Sequence, residues 1–182
     1  MFNRLFGLAA RRDTAVIDAL YGEIVAAARQ PAFYADLDVP DTPLGRFEML
    51  ALHVFMFLHR VRGEAAPLPD IAQELVDEFF KDVDHSIREL GISDTGVPKR
   101  MKKLSRMFYG RVISYGEALD ADDRAALGAA LARNVRPDAT WPHAAELARR
   151  VFALRDSLAA QTPAAFAAGR LSMMPGAAEA AA

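Results

Sequence analysis

Four side chains that can bind metal ions or exchange protons recur along one segment of the chain. Glu78, Asp82, His85 and Glu89 are spaced at four, three and four residues, so on a helix they share one face. Carboxylate and imidazole groups at such spacing are possible metal ligands. Di-iron bundles, however, need a Glu-x-x-His motif on each of two helices, and here Asp82-x-x-His85 occurs once. A solvated acidic face is therefore the simpler interpretation, a helical metalloenzyme is the weaker alternative, and no cofactor or metal site is predicted.

A second candidate feature is a run of basic residues with no acidic residue among them. It reads VPKRMKKLSRMFYGR and spans Val97–Arg111. A basic helix backed by an apolar stripe fits RNA, an anionic lipid surface or an acidic protein face. The alternative is a solvated face that the acidic helix before it neutralises through antiparallel pairing. The six cations are Lys99, Arg100, Lys102, Lys103, Arg106 and Arg111.

Composition excludes several classes of site. The chain of 182 residues has no cysteine, so it has no disulfide, thiolate zinc site, iron–sulfur cluster or cysteine nucleophile. No catalytic triad signature, phosphate-binding glycine loop or dinucleotide fingerprint is present. We therefore expect a binding protein rather than an enzyme. The formal net charge of −2 indicates no nucleic-acid or membrane partner by bulk charge, so any such partner would bind a local patch.

Hydropathy gives an expectation about location. The most apolar run, Met49–Leu58, is shorter than the roughly 18–20 residues of a membrane-spanning helix, and His53 interrupts it. The stretch Met1–Arg12 is too short and has its arginines on the wrong side for a secretory signal. We therefore expect the chain to stay on the side of the membrane where it is made.

Helical periodicity dominates the chain, which predicts an all-α fold. The expected architecture is a single-domain bundle of roughly six to eight helices over residues 1–171, followed by a flexible tail at 172–182. Residues 31–43 are expected to form an irregular link. Helices are predicted at about 1–10, 14–29, 44–61, 70–90, 97–119, 121–134 and 143–160, with one more turn at 163–169.

Capping and burial patterns refine these elements. Asp13 or Thr14 is expected to cap the second helix, and Thr42 followed by Pro43 to start the third. The helix at 44–61 is apolar around much of its circumference, so it is predicted to be the central one, with His53 as a hydrogen-bonded core residue. Trp141 is predicted to be a packing anchor, and Leu90 to be buried.

Three segments together resemble a known family. They are FYADLDVPDTPLGRFEMLALH at Phe33–His53, ELVDEFFKDVDHSIRELGISDTGVPKRMKKL at Glu74–Leu104 and FYGRVISYGEAL at Phe108–Leu119. In order, spacing and residue types they are similar to the ubiquinol–cytochrome c chaperone family. The resemblance covers Phe33–Leu119, with weaker similarity on either side.

The resemblance implies a non-enzymatic assembly factor of respiratory complex III that binds newly made cytochrome b or a related subunit. Mitochondrial members act with a small partner protein near the ribosomal exit. The lack of an evident presequence or membrane segment, with the Ala/Arg-rich composition, favours a bacterial member in the cytoplasm. Peripheral contact with the inner membrane stays open, and the ribosome-binding role is in doubt. An RNA- or ribosome-binding module through helix 97–111 is the alternative.

The resemblance and the basic helix together give a set of candidate client- or partner-binding residues. We expect Arg46, Asp82, Asp84 and Arg88 to form a salt-bridge network between helices, and Gly110 to permit close approach of another backbone. The sequence leaves open whether such residues bind a partner or support the fold. The set is Arg46, His53, Asp82, Asp84, Arg88, Lys99, Lys102, Lys103, Tyr109 and Arg111.

Overall fold

The structure, a computed structural model, describes the backbone of residues 3–137 and 139–173 and the side chains from residue 14 onward. The prediction of an all-α fold is confirmed, since these ranges hold eight helices and no strand. Most of their buried apolar residues, from Leu20 to Met173, form one contiguous core. The helices are α1 (Asn3–Ala28), α2 (Pro31–Ala35), α3 (Pro43–Val61), α4 (Leu68–Glu89), α5 (Val97–Asp120), α6 (Arg124–Val135), α7 (Ala144–Ala159) and α8 (Pro163–Ala167).

The N-terminal part differs from the prediction in two places. Helix α1 is continuous, so the expected helix start at Asp13 or Thr14 is wrong. Residues 8–21 contain no glycine or proline, and a polar residue alone does not end a helix. The link after α1 is also not wholly irregular, because Pro31 starts the short helix α2 and Phe33 anchors it in the core.

Helix α3 is the central helix, as predicted. The Thr42 hydroxyl accepts a hydrogen bond from the Gly45 amide at 3.2 Å, and Pro43 follows in the first turn. A Cβ on Gly45 would lie 1.9 Å from the carbonyl oxygen of Pro40, so only glycine lets the incoming chain pass this close. The bundle is therefore built around a helix whose start is fixed by its cap and by the chain that crosses it.

Helices α4 and α5 both pack against α3, but they run in opposite directions. Helix α4 runs antiparallel to α3, with Phe47 stacked on Phe79 at 5.9 Å between ring centroids near one end. Helix α5 runs in the same direction as α3, since Glu48 contacts Arg111 and Phe55 meets Tyr115 further along both helices. This arrangement leaves one long side of α5 facing solvent.

The C-terminal part closes the bundle. Trp141 is buried, and its Nε1 donates to the carbonyl of Leu37 at 2.8 Å, which confirms the predicted packing anchor. Ser172 and Met173, at the start of the predicted tail, contact the bundle. The Ser172 amide donates a hydrogen bond to the side-chain oxygen of Gln161, and the Met173 side chain is buried. Residues 174–182 lie outside the described residues. Leu90, predicted to be buried, is 57% exposed because α4 ends one residue before it.

Candidate binding surface on α5

A buried ion pair fixes α5 to the central helix. The Nε and Nη2 atoms of Arg111 both donate to the carboxylate of Glu48 at 2.5 Å, and Nη1 donates to the carbonyl of Met107 at 2.8 Å. Both side chains are buried. Burial raises the pKa of Glu48, and the neighbouring guanidinium opposes that rise. Arg111 therefore points into the bundle and is not part of the surface that the other cations form.

The remaining cations of the basic segment are all exposed. Within the described residues none of them makes an ion pair with a carboxylate. The proposed neutralisation by α4 does not occur, because Asp82 of that helix accepts from Tyr21 of α1 at 2.8 Å and Asp84 pairs with Arg88. Among the described residues, helix α5 thus presents five cations without a carboxylate partner: Lys99, Arg100, Lys102, Lys103 and Arg106.

Two exposed apolar side chains continue this surface along α5. Tyr109 is 52% exposed and Ile113 is 62% exposed. Together with Lys102 and Arg106 they are spaced at four, three and four residues, so all four side chains lie on one face of the helix. We call these four residues the α5 stripe. Its N-terminal half is cationic and its C-terminal half is apolar.

An open groove lies beside the α5 stripe, between α3, the start of α4 and the end of α5. Its volume is about 260 Å³, and most of its surface is apolar. A Cβ on Gly116 would meet only Phe55, at 3.9 Å, so the missing side chain leaves room in the groove. We call it the α5 groove. Its apolar lining is formed by Phe55, Leu58, Val61, Ala72, Val112 and Gly116.

The far end of the α5 groove is closed by a polar cluster. Arg62 donates to both carboxylate oxygens of Asp120, at 2.7 and 2.9 Å, and Nε2 of His59 lies 3.0 Å from the same carboxylate. The hydrogen bonds from Arg62 hold the pKa of Asp120 at about 2. Asp120 is therefore charged at neutral pH, and it ties the last turn of α5 to the end of α3.

The predicted salt-bridge network between helices is wrong. Arg46 reaches back to Asp41 at 2.6 Å rather than to α4. Arg88 does pair with Asp84 one turn away, as predicted, and also with Asp94 at 2.7 Å. These are separate surface contacts, which contribute little to stability when exposed.

Gly110 is not approached by another helix of the bundle, which was one of the two partners expected for it; the other was a client. A Cβ at this position would have nothing within 4 Å, so no other backbone of the described chain approaches it. Gly110 lies on the exposed side of α5, next to Tyr109. Any close approach at this glycine would have to come from another molecule.

His53 is a hydrogen-bonded core residue, as expected. Its Nδ1 lies 2.7 Å from the carbonyl of Met49, and its ring meets Phe33 edge-on at 5.4 Å. Burial lowers the pKa of His53 to about 4, so the ring is neutral at physiological pH. The structure thus places two candidate residues, His53 and Arg111, inside the bundle as supports for α3 and α5.

The acidic face of α4 does not assemble a metal site. His85 pairs with Glu89 at 3.1 Å, and Asp82 is occupied by Tyr21. Among the described residues, no group of three or more histidine, aspartate or glutamate side chains is placed to hold a metal ion. In the same part of the chain, no helix combines the length and apolar character needed to cross a bilayer.

Sequence reasoning missed the residues that form the α5 groove and its support. Glu48 carried a signal, because it is the one acidic residue of a largely apolar helix and a buried carboxylate needs a partner. Ile113, which belongs to the α5 stripe and not to the groove, carried another signal, since it is an apolar residue on the basic side of its helix. The groove itself left no such signal, because it depends on how three helices diverge.

Residues 35–173 match the sequence profile described as ubiquinol-cytochrome C chaperone. The chain belongs to this family. The match confirms the resemblance and extends it beyond Leu119 through α6, α7 and α8, so the alanine-rich C-terminal helices belong to the family unit as well.

Proteins similar to this chain support its assignment to the ubiquinol-cytochrome C chaperone family. The crystal structure of the Cbp3 homolog from Brucella abortus is 58% identical, with a TM-score of 0.88 over 96% of this chain and 97% of that one. Ubiquinol-cytochrome-c reductase complex assembly factor 1 of Xenopus laevis is 30% identical over 103 residues, 57% of this chain and 51% of that protein. The Mus musculus protein is 28% identical over 114 residues, 63% of this chain and 38% of that protein. The chain thus spans about half or less of the length of these two relatives.

Proposed function

We propose that the chain is an assembly chaperone for ubiquinol–cytochrome c reductase, complex III, and that it binds newly made cytochrome b or a related subunit without catalysing a reaction. Family membership over residues 35–173 and the names of the assembly-factor relatives support this proposal. The single observation that carries it is the open apolar groove beside α5.

The α5 groove suits an apolar client. A subunit of a membrane complex exposes apolar helical segments until its neighbours cover them, and such helices bind in apolar grooves through side chains spaced at three and four residues. Phe55, Val61 and Val112 give the groove an apolar floor, while the Asp120 cluster closes its end. Bound in this way, a client segment would be shielded from aggregation without any chemical step.

The alternatives gain no support from the comparisons. None of the matched proteins is named as an RNA-binding module or a metalloenzyme.

Removal of the gene tests the proposed function directly. A deletion strain is expected to contain less assembled complex III, measured by native gel electrophoresis and by the cytochrome b absorbance of its membranes. Transcripts of the complex III subunits should stay at the wild-type level, because the defect arises after synthesis. A deletion strain with normal complex III would contradict the proposal.

Filling the α5 groove tests whether the client binds there. Gly116→Leu adds a side chain that occupies the groove, and we expect assembled complex III to fall toward the level of the deletion strain. Gly22→Leu is the matched control, since Gly22 lies on the exposed side of α1 with nothing within 4 Å of its Cβ position. Equal complex III levels in the two variants, at equal protein abundance, would exclude the groove as the client site.

A further inference from the structure

We propose that the exposed side of α5 docks the protein on the surface of an anionic phospholipid bilayer. The docking surface consists of the exposed cations Lys99, Lys102, Lys103 and Arg106, followed by Tyr109 and Ile113. The cations would lie over the lipid phosphates, and the two apolar side chains would enter the interface. This inference goes beyond the proposed function and does not depend on the identity of the client.

Charge complementarity supports a polyanionic partner on this face. No acidic residue occurs from Val97 to Gly116, and no described carboxylate pairs with the four cations. Each basic residue near an anionic lipid surface strengthens binding roughly fivefold. Four cations on one helical face therefore form a site of useful strength although the whole chain has a net charge of −2.

The two apolar residues favour lipid over other polyanions. Ile113 is the most exposed large apolar side chain of the described residues. It has no group that could form a hydrogen bond with a nucleic acid and no ring that could stack on a base. In a bilayer interface the same side chain leaves water, which is favourable. Tyr109 has the amphipathic ring that is common at membrane interfaces, and Phe80 packs against it at 6.4 Å between centroids.

Acidic groups border this face without covering it. Glu117 lies one turn beyond Ile113, at the C-terminal end of the exposed side. Asp94 lies before the first turn of α5 and is paired with Arg88. The docking surface is therefore limited to about four turns of helix, which orients α5 along the membrane plane with the α5 groove at its flank.

Vesicle co-sedimentation of the full chain tests the proposal. We expect binding to phosphatidylcholine vesicles that contain about one-third phosphatidylglycerol, little binding to pure phosphatidylcholine, and weaker binding as salt is raised. Replacing Lys99, Lys102, Lys103 and Arg106 together by glutamine should lower partitioning by a factor on the order of several hundred.

A matched charge control separates the α5 surface from bulk charge. Arg46, Lys81, Arg88 and Arg149 are exposed cations on other helices, and each is already paired with an acid. Changing these four to glutamine alters the net charge equally and should leave vesicle binding close to wild type. Equal losses in both quadruple variants would overturn the proposal, as would equal binding to neutral and anionic vesicles.

Variants of Ile113 separate a bilayer from a nucleic acid. Ile113→Asn should weaken vesicle binding about tenfold at unchanged charge, and Ile113→Trp should strengthen it and shift the added indole emission to shorter wavelength on binding. Single-stranded RNA serves as the competing probe. Tighter binding to RNA than to anionic vesicles, lost in the α5 glutamine variant and unaffected by Ile113→Asn, would replace the bilayer by a nucleic acid.

Discussion

Arg111→Met is expected to lower the free energy of unfolding by about 3–5 kcal/mol. The substitution leaves the carboxylate of Glu48 buried without its partner, and removing one member of a buried pair has a cost of that size. The pair is bidentate and joins α5 to the central helix, so its loss should also loosen the groove that the two helices share. Urea unfolding followed by circular dichroism measures the change.

Two comparisons isolate the cause. Arg106→Met removes an exposed arginine from the same helix, and it should change stability by less than about 0.5 kcal/mol. Glu48→Gln combined with Arg111→Met removes both charges and should recover most of the loss. If Arg111→Met unfolds like Arg106→Met, the pair does not hold α5 in place.

Acidification from about pH 6.5 to 4.5 is expected to destabilise the protein mainly through His53. Burial lowers the pKa of His53 to about 4 in the folded protein, while the unfolded chain has the ordinary value of 6.5. The unfolded state therefore binds the proton first, and stability that is complete above pH 6.5 falls as the pH drops toward 4. The full difference is on the order of 3 kcal/mol. Chemical unfolding across this range, compared with His53→Phe, measures it.

The pH window distinguishes His53 from the carboxylates. Asp120 and Glu146 have pKa values of about 2 because of their arginine partners, so their contributions are lost only below about pH 4.5. His53→Phe should flatten the change between pH 6.5 and 4.5 and leave the steep loss at lower pH. An unchanged slope in the variant would show that His53 takes up its proton without unfolding the core.

The sequence predicted helix boundaries correctly where a capping residue and a proline occur together. Thr42 and Pro43 fixed the start of α3, and the apolar circumference of that helix placed it at the centre. The break expected near Thr14 was wrong because a possible cap does not stop a helix that lacks glycine and proline. Capping residues mark an end only when the flanking chain also leaves the helix.

The binding surface was only partly predictable for a related reason. The cations of α5 were visible as a run, yet their freedom depends on α4 turning its acids toward α1 and its own arginine, as Asp82 and Asp84 do. The sequence groups Arg111 with the surface cations, because a run of basic residues does not show that one of their side chains turns inward to Glu48. Which side chains face the core and which face solvent depends on how each helix is rotated about its own axis, and the spacing of residues in the sequence does not determine that rotation.

The most direct test of the proposed chaperone role is site-specific photocrosslinking in growing cells. A photoreactive amino acid replaces Ala72 on the wall of the α5 groove, or Gly22 on α1 as the control position. After a short radioactive pulse, we expect newly made cytochrome b to crosslink to position 72 and not to position 22, with the adduct disappearing during the chase as complex III assembles. Equal labelling at both positions, or no complex III subunit crosslinked to position 72, would contradict the account.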